Sequence, residues 1–303
     1  MSLGPRVVVV GSINEDYLLT VDELPARGET VIAMAGTTAS GGKGANQAVA
    51  AARSGVPTLF VGALGTDARA ARLETQLRAH RVDITRLLRV PGSSGTAVVI
   101  IDRDGDNSIV VDPGANAHLA PGHIRESLAD LGPGDVLLLQ CEIPPAAVRA
   151  AIERAHAVRA TTVLNWSPSV ALPHDVVSRT TVLVVNRGEA QALVTGQDGP
   201  ELATALIDRY GVDVVVTLGA DGAVCRTVGC HATRVEATPV TTDVVDSTGA
   251  GDTFAGTLAA ALATGAPLAT AVRRACAAAA TAVTTLGAQP QVNQPTPTVR
   301  AGL

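Results

Sequence analysis

The chain has 303 residues, of which 47% are hydrophobic but only 2% aromatic, and its formal net charge is −5. This length is sufficient for one large domain or two moderate ones, with a core built mainly from Ala, Val and Leu. The acidic balance disfavours general nucleic-acid binding, which requires a basic surface. The sequence has no apolar run of about 18 residues and no leader-like N-terminus, so we expect a cytoplasmic protein without membrane partners.

The first part of the chain combines one buried strand with two regions of a different pattern. The valine run at 7–10 predicts a strand that is buried on both faces. Residues 12–40 and 94–112 instead show short polar and apolar alternations broken by glycine or proline, which favours small antiparallel elements. We expect these two regions to form one projecting β lid. The other elements predicted up to residue 111 are helices at 45–53 and 68–80, a strand at 59–61, and hairpin strands at 96–102 and 107–111.

From residue 121 onward, predicted helices and strands alternate. This order is typical of a mostly parallel sheet flanked by helices on both faces, so we predict a single α/β domain over residues 1–303. Helices are predicted at 121–131, 146–157, 189–194, 201–210, 251–263 and 267–284. Strands are predicted at 136–140, 162–165, 181–185 and 214–218, followed by antiparallel segments at 222–227 and 231–236.

The cysteines do not form a metal or redox motif. None has CxxC spacing, and no histidines cluster with them. We therefore expect reduced, mostly buried thiols. The four residues are Cys141, Cys225, Cys230 and Cys276.

The most informative segment is Asp-Ser-Thr-Gly-Ala-Gly-Asp at 246–252, directly before an apolar helix. The backbone of Gly249, Ala250 and Gly251 can approach a ligand closely, and the helix start offers unpaired N–H groups and a positive dipole end. Such an anion hole suits the charge on a transferred phosphoryl group. Asp252 at its mouth could accept a proton from an attacking hydroxyl. The alternative is an ordinary strand-to-helix turn capped by Asp252.

A second glycine-rich segment, Ser-Gly-Gly-Lys-Gly-Ala-Asn at 40–46, also precedes a helix. It is not a P-loop, because that motif needs Gly six residues before the Lys and Ser or Thr after it, where this chain has Thr37 and Gly44. The turn better suits the approach of Lys43 and Asn46 to a polyhydroxyl ligand. The alternative is that its glycines only turn the chain.

Two more segments lie at predicted strand ends, where open α/β sheets collect ligands. Asn14 and Asp16 supply an amide and a carboxylate, a pair suited to neighbouring hydroxyls, although Asn-x-Asp alone is only a turn signal. Thr-Leu-Gly-Ala-Asp-Gly at 217–222 could lay its backbone along an adenine or a ribose, and a plain hairpin turn is equally compatible.

Several other reaction classes are disfavoured. The chain has no dinucleotide-binding Gly-x-Gly-x-x-Gly, no zinc motif and no nucleophile elbow, and no histidine lies in the four segments above. These absences count against hydride transfer, zinc hydrolysis and a Ser-His triad.

These segments resemble those of the ribokinase family of sugar kinases. Residues 11–16, 41–47, 246–252 and 287–290 (Gly-Ala-Gln-Pro) occur in the family's order, and the resemblance runs from about residue 7 to residue 292. It implies a central, mostly parallel sheet between helices and a β lid that often forms a dimer clasp, hence a homodimer. It also implies ATP-dependent phosphorylation of a small sugar, with the primary (5-) hydroxyl of D-ribose as the expected acceptor.

The resemblance further implies a role for each matching residue. Asp252 would be the catalytic base, beside the anion hole at Gly249, Ala250 and Gly251. The sugar-binding positions match Asn14, Asp16, Gly42, Lys43, Gly44, Asn46, Glu142 and Asp252. The nucleotide-binding positions match Asn186, Thr217, Leu218, Gly219, Ala220, Asp221, Gly222, Gly251 and Cys276.

Two metal ions are implied in the same way. A monovalent cation, K⁺, would lie beside the anion hole. Mg²⁺ would arrive with ATP, and Glu189 is placed to organise its water shell. From the residues alone, a cap on the turn or a pair with an arginine is the alternative role of Asp246. The implied K⁺ ligands are Asp246, Thr248, Ala282, Thr285, Gly287 and Gln291.

The chain departs from the family pattern in three places. Arg187-Gly188 forms the interior of the Asn-x-x-Glu motif at 186–189 and would add a cation near the phosphates. Trp166 is expected near the cleft. Cys276 stands where a polar side chain often faces the nucleotide. None of these changes removes a catalytic group, so they concern nucleotide and Mg²⁺ dependence.

Other functions stay open on the sequence. Deoxyribokinase, fructokinase and adenosine kinase share the architecture. Lys43, Asn46 and Glu142 form a polar set suited to a small polyol, whereas an adenosine pocket would need aromatic or apolar residues and the chain has only two Phe, two Tyr and one Trp. A sugar sensor without turnover is a further alternative, against which the intact Asp252 argues.

Overall fold

The computed structural model describes residues 4–194, 198, 200–236, 246–284 and 287–289. Strands and helices alternate along most of the chain. The strands are β1 Val7–Val10, β2 Asn14–Thr20, β3 Ala35–Gly41, β4 Thr58–Val61, β5 Ala63–Leu64, β6 Leu88–Arg89, β7 Gly95–Ile101, β8 Asn107–Asp112, β9 Val136–Leu139, β10 Thr161–Asn165, β11 Val182–Asn186, β12 Asp213–Thr217, β13 Ala223–Arg226 and β14 Thr233–Val235. The helices are α1 Lys43–Arg53, α2 Ala68–Ala79, α3 Pro121–Ser127, α4 Pro145–Val158, α5 His174–Val177, α6 Arg187–Leu193, α7 Pro200–Tyr210, α8 Ala250–Ala263 and α9 Leu268–Ala282.

Within the described residues, the central sheet has eight strands in the order β14-β13-β12-β11-β10-β9-β1-β4. Strands β12 to β4 run parallel, while β13 and β14 are antiparallel to their neighbours. Every residue of β1 and of β9 is buried, as the Val and Leu runs predict for strands covered on both faces. The predicted α/β class with a mostly parallel sheet is confirmed.

Two apolar layers cover this sheet, one on each face. Alternate residues of β1 enter different layers: Val8 and Val10 pack into the layer under α3–α7, and Val7 and Val9 into the layer under α1, α2, α8 and α9. This division follows from the period of two residues along a strand. The sheet is therefore enclosed by helices on both sides, and its free edges and strand ends are left for other contacts.

Gly256 allows α8 to lie very close to α1. A Cβ atom at this position would be 2.4 Å from the backbone oxygen of Gln47 and 2.7 Å from the Cβ of Ala50. Neither neighbour could move without shifting helix α1, so a larger side chain would force the helices apart. The contact places the first turns of the two helices, which both begin in glycine-rich segments, side by side.

A second sheet has four strands in the order β3-β2-β7-β8, drawn from the two regions at 12–40 and 94–112. The pairs β2–β3 and β7–β8 are antiparallel, whereas β2 and β7 are parallel, with Asp16 opposite Ala97. Its outer strand β8 is exposed and carries apolar side chains: Ile109 is 55% and Val110 is 66% exposed. Whether this sheet moves as a lid stays a prediction.

Helix α3 is shorter than predicted. It was expected to continue to residue 131 but ends at Ser127. Arg86 donates to the backbone oxygen of Ser127, and Arg154 donates to those of Leu128 (2.9 Å) and Ala129 (2.6 Å). These side chains take up carbonyl groups at the helix end, which makes an early termination possible.

The placement of Trp166 corrects the sequence analysis. Its side chain is 3% exposed, its indole N–H donates to the backbone oxygen of Val170 (2.8 Å), and its ring packs edge-on against Tyr210. It is a core residue and does not line the cleft described below. The cysteines agree with expectation: all four are free, and all except Cys230 are buried. Within the described ranges, no helix is both long and apolar enough to cross a bilayer.

Candidate active site

A cleft of about 710 Å³, lined by both polar and apolar side chains, lies against the four-stranded sheet. One wall is a face of that sheet, with Leu18, Val99 and Ile109 among its residues. The opposite wall is formed by the turns that precede α1 and α8 and by Glu142, which follows β9. The structure thus brings together at one cleft the predicted sugar-binding residues Asn14, Asp16, Gly42, Lys43, Asn46, Glu142 and Asp252. Gly44, also predicted, lies buried in the first turn of α1.

Asp252 lies in the first turn of α8 and is only 6% exposed. The preceding turn depends on Gly249, whose φ of 77° is in the left-handed region and which forms the N-cap of the helix. The carboxylate accepts hydrogen bonds from Asn46 Nδ2 (2.9 Å) and from Gln47 Nε2 (3.0 Å). Burial raises the pKa of Asp252, the Lys43 charge and these two hydrogen bonds oppose the rise, and Glu142 adds to it. A buried carboxyl group with a raised pKa is suited to receive a proton.

Lys43 and Glu142 are neighbouring charged residues at the base of the cleft. Glu142 Oε2 accepts hydrogen bonds from the hydroxyl of Ser12 (2.6 Å) and from the backbone N–H of Lys43 (3.0 Å). Burial alone would lower the pKa of Lys43, but the carboxylates of Asp252, Glu142 and Glu189 raise it above its usual value. Lys43 is therefore a firmly protonated cation among carboxylates.

Asp16 and Asn14 project from β2 into the cleft. Burial, followed by the charges of Glu142 and Asp252, raises the pKa of Asp16 to about 7. Its Oδ1 atom is buried and has no hydrogen-bond partner among the described residues. Asn14 is oriented by Asn116, whose Nδ2 donates to Asn14 Oδ1 (2.9 Å). The unpartnered oxygen of Asp16 is thus available to a ligand hydroxyl.

The carboxylate of Asp246 is held by two backbone N–H groups. Its Oδ1 accepts the backbone N–H of Thr248 (2.8 Å) and its Oδ2 that of Gly287 (2.9 Å). This is the capping role that the sequence left open as the alternative. A carboxylate oxygen can accept further contacts besides these bonds, so the K⁺ site at Asp246 stays a prediction. Of the other predicted K⁺ ligands, Thr285 and Gln291 lie outside the described residues.

The predicted nucleotide-binding residues gather at the ends of two neighbouring strands. Asn186 at the end of β11 pairs with Thr217 at the end of β12, and the turn Gly219–Asp221 follows directly. Asn186 and Glu189 form a capping box at the start of α6, with 2.8 Å bonds in both directions. One oxygen of Glu189 is thereby used, which leaves the other for the water shell of a metal ion.

The structure shows the surroundings of Arg187 and Cys276, two residues that depart from the family pattern. The guanidinium group of Arg187 donates to Asp221 (3.0 Å), and both side chains are exposed. The expected free cation near the phosphates is therefore neutralised in this structure by a residue of the adjacent loop. Cys276 is 8% exposed and packs in the apolar layer under α9, where burial raises its pKa. Its predicted contact with the nucleotide stays a prediction.

Several polar residues of the site were not assigned by the sequence analysis. Ser12, Gln47 and Gln289 belong to segments that resemble the family, but their residue types alone indicate no role. Asn116, Gln140 and Asn165 give no signal, because an isolated Asn or Gln is common on any surface. What distinguishes them is burial: Gln47 and Gln140 are both 0% exposed.

Comparisons with known proteins identify carbohydrate kinases as relatives of this chain. Residues 5–295 match the model of the pfkB family of carbohydrate kinases. A Bacillus subtilis protein named ribokinase is 36% identical over 286 residues, which cover 94% of each chain. A Haemophilus influenzae protein of the same name is 33% identical over 292 residues, again 94% of each chain.

Solved structures agree. An Arabidopsis thaliana ribokinase complexed with ribose and ATP superposes with a TM-score of 0.84 at 30% identity, covering 95% of this chain and 96% of the other. A Thermotoga maritima ribokinase gives a TM-score of 0.85 at 31% identity, with 94% and 95% covered. An adenosine kinase from Sinorhizobium meliloti has a TM-score of 0.79 at 22% identity, with 96% and 97% covered, which is a likeness of fold alone.

Proposed function

Because this chain belongs to the pfkB family of carbohydrate kinases, we propose that it phosphorylates D-ribose at the primary hydroxyl group, with ATP as the phosphoryl donor. It is an ATP-dependent carbohydrate kinase, and the products are ribose 5-phosphate and ADP. Relatives named ribokinase cover nearly the whole chain, and one structural neighbour holds both ribose and ATP. The observation that carries the proposal is the buried carboxylate of Asp252 at the start of α8, which lines the cleft together with Asp16 and Lys43.

Ribose would bind between the four-stranded sheet and the turns before α1 and α8. Asn14, Asp16 and Glu142 offer oxygen acceptors to the secondary hydroxyls, and Lys43 and Asn46 offer donors. A small polyol can satisfy such a dense polar set, whereas an apolar ligand would leave buried groups unpaired. The free Oδ1 of Asp16 supports this part of the proposal.

Transfer would proceed in line. Asp252 accepts the proton of the primary hydroxyl, the hydroxyl oxygen forms a bond to the γ-phosphorus, and the bond to the ADP oxygen breaks. The first-turn N–H groups of α8 and the Lys43 ammonium stabilise the charge on the transferring group. In such a reaction the protein contributes mainly positioning and electrostatics.

The adenine nucleotide would lie along the ends of β11 and β12, against Asn186, Thr217 and the turn Gly219–Asp221. Mg²⁺ brought by ATP would neutralise phosphate charge, and the second oxygen of Glu189 would hold its water shell. Since Asp221 already pairs with Arg187, binding would either open this ion pair or use it as one edge of the site.

A monovalent cation would support the anion hole from outside. Oxygen donors are what K⁺ requires, and the carboxylate of Asp246 with backbone carbonyls of Thr248 and Ala282 supplies that chemistry. A bound cation would hold the 246–252 turn in place, while the reacting groups stay on Asp252 and the helix N–H groups. The capping bonds of Asp246 already fix part of this geometry.

We further propose that the four-stranded sheet closes over ribose, that it joins two copies into a homodimer, and that the enzyme works in the cytoplasm, where ATP is supplied. Val110 is apolar and exposed, and it lies on the face of β8 opposite to Ile109 and the cleft, which supports a covered face in a dimer. Closure would exclude water, which competes with ribose as an acceptor.

A coupled ADP-release assay across pentoses, hexoses and nucleosides tests the substrate. We expect ribose to have the highest kcat/KM. A clear preference for fructose, deoxyribose or adenosine would assign the chain to one of those kinases instead. No ADP release with any acceptor would indicate a sugar sensor.

A further inference from the structure

A network of buried side-chain amides surrounds the carboxylate of Asp252. We infer that Gln47 is a positioning residue for this base, and that Gln140 acts behind it by fixing the orientation of the Gln47 amide. The inference rests on the proposed function, since it assumes that Asp252 is the base. It assigns a role in the reaction to two fully buried residues that do not line the cleft.

Gln47 makes three hydrogen bonds, all to residues distant in sequence. Its Nε2 donates to Asp252 Oδ1 (3.0 Å) and to Asn165 Oδ1 (3.0 Å). Its Oε1 accepts from Gln140 Nε2 (3.1 Å). The full capacity of the Nε2 group is therefore used, and one of its two hydrogens points at the carboxylate.

The direction of the Gln47 amide is determined by its neighbours. If the amide were turned over, its oxygen would face the Asp252 carboxylate and its NH₂ group would face the NH₂ group of Gln140. Both contacts would be repulsive. A second series of hydrogen bonds runs in the same direction: Gln289 Nε2 donates to Asn46 Oδ1 (2.8 Å), and Asn46 donates to Asp252 Oδ2. Both series, the one through Gln47 and the one through Asn46, end at Asp252, one at each carboxylate oxygen.

Burial of Gln140 and Gln289, the outermost amides of the two series, is energetically unfavourable, and the direction of the hydrogen bonds toward Asp252 explains why they are there. Gln140 Oε1 and Gln289 Oε1 are buried and have no hydrogen-bond partner among the described residues. A core that needed only to be filled would be better served by apolar side chains of similar size. Each of these amides instead donates a hydrogen bond in the series that leads to the carboxylate, which is consistent with a role in the chemistry.

Asp252 needs this support because of its surroundings. It is buried, and it faces charged groups from three elements: Lys43 of α1, Glu142 after β9 and Asp16 of β2. Two of these groups are carboxylates that disfavour a further negative charge. Hydrogen bonds to the ionised form offset this effect, and they also fix the orientation of the carboxylate.

Gln47→Met tests the inference, since it keeps the length and volume of the side chain but removes all three bonds. Loss of a hydrogen bond to a charged group corresponds to roughly a 10- to 100-fold effect. We expect kcat to fall by that factor and the acid limb of the kcat/KM profile to move up by about one pH unit or more. The KM for ribose should change by less than about threefold, because Gln47 is fully buried and does not line the cleft. Gln76→Met on α2 is the matched control and should leave all three unchanged.

A double-mutant cycle separates this role from a merely structural one. In an Asp252→Asn background, Gln47→Met should cause no further loss, because it acts through the carboxylate. Gln140→Met should shift the acid limb in the same direction by a smaller amount, and it supplies the test if Gln47→Met does not fold.

Three results would overturn the inference. They are a normal kcat in folded Gln47→Met, losses that add in the double mutant, and a lowered melting temperature with an unmoved acid limb. If Asp252→Asn itself keeps full activity, the proposed base is wrong. If only the Gln47 variants behave like wild type, the base stands and this inference alone fails.

Discussion

Replacing Asp16 with Asn should stabilise the sugar-free protein at neutral and alkaline pH. The pKa of Asp16 is about 7 in the folded chain, against 3.8 for an unperturbed Asp. Between these values the folded protein holds a proton that the unfolded chain has released, so the free energy of unfolding falls as the pH rises through this window. The loss begins near the unfolded value and is complete above about pH 7. Asn cannot ionise, and the variant avoids the loss.

The size of the effect follows from the pKa difference. A little over three pKa units correspond to about 4 kcal/mol as an upper limit, at about 1.4 kcal/mol per unit. The carboxylate lines a cleft that is open to solvent, so we expect roughly half of this, about 2 kcal/mol, above pH 7. At pH 5 most of the window has not been crossed, and the gain should fall below about 1 kcal/mol.

Urea unfolding of wild type and Asp16→Asn from pH 5 to pH 8, without sugar, measures this difference. Asp104→Asn is the control, because Asp104 is an exposed carboxylate in the β7–β8 turn of the same sheet. Its stability should follow wild type at every pH. The reasoning is refuted if Asp16→Asn is no more stable than wild type at pH 8, or if its gain is the same at pH 5.

Asp16→Asn should also lose ribose binding while its affinity for ATP is kept, since only the sugar contacts change.

Three further predictions concern the transfer step and the nucleotide site. Asp252→Asn should lower kcat by about 10²- to 10⁴-fold, the usual effect of losing a general base, with folding and ATP binding intact; near-normal turnover in a folded variant would exclude the role. K⁺ added to tetramethylammonium buffers at constant ionic strength should raise activity, and Asp246→Ala should abolish the rise; equal activity without any alkali cation would rule out the site. Arg187→Ala should change the KM for ATP by about tenfold or less and leave the KM for ribose unchanged, because Arg187 pairs with Asp221 in the exposed nucleotide region; a shift in the ribose KM alone would refute this assignment.

The sequence was sufficient for features that depend on local pattern. Runs of Val and Leu predict strands buried on both faces, and the run at 7–10 forms such a strand. Alternating helices and strands predict the parallel sheet, since a parallel connection needs a crossover helix. The glycine-rich segment at 246–252 predicts a turn into a helix, and α8 begins there at Ala250.

Features that depend on distant partners could not be predicted in this way. The parallel pairing of β2 with β7 joins strands about 80 residues apart, which no local pattern records. Asp246 finds one of its amide partners 41 residues later, at Gly287. Gln289 reaches Asn46 across 243 residues. Gln47 lies in an alanine-rich helix, and its complete burial and its hydrogen bond to Asp252, 205 residues away, show that it faces Asp252 and not solvent.

The most direct test of the proposed function is to identify the product formed from D-ribose and ATP. Proton-coupled ³¹P NMR of the reaction mixture reports both the nucleotide and the carbon that receives the phosphoryl group. We expect one ADP for each phosphorylated ribose, with the new phosphorus signal coupled to the protons on C5, and the same signal to form about 10²- to 10⁴-fold more slowly with Asp252→Asn. ADP release without a ribose phosphate, or phosphorylation at another carbon, would contradict the account.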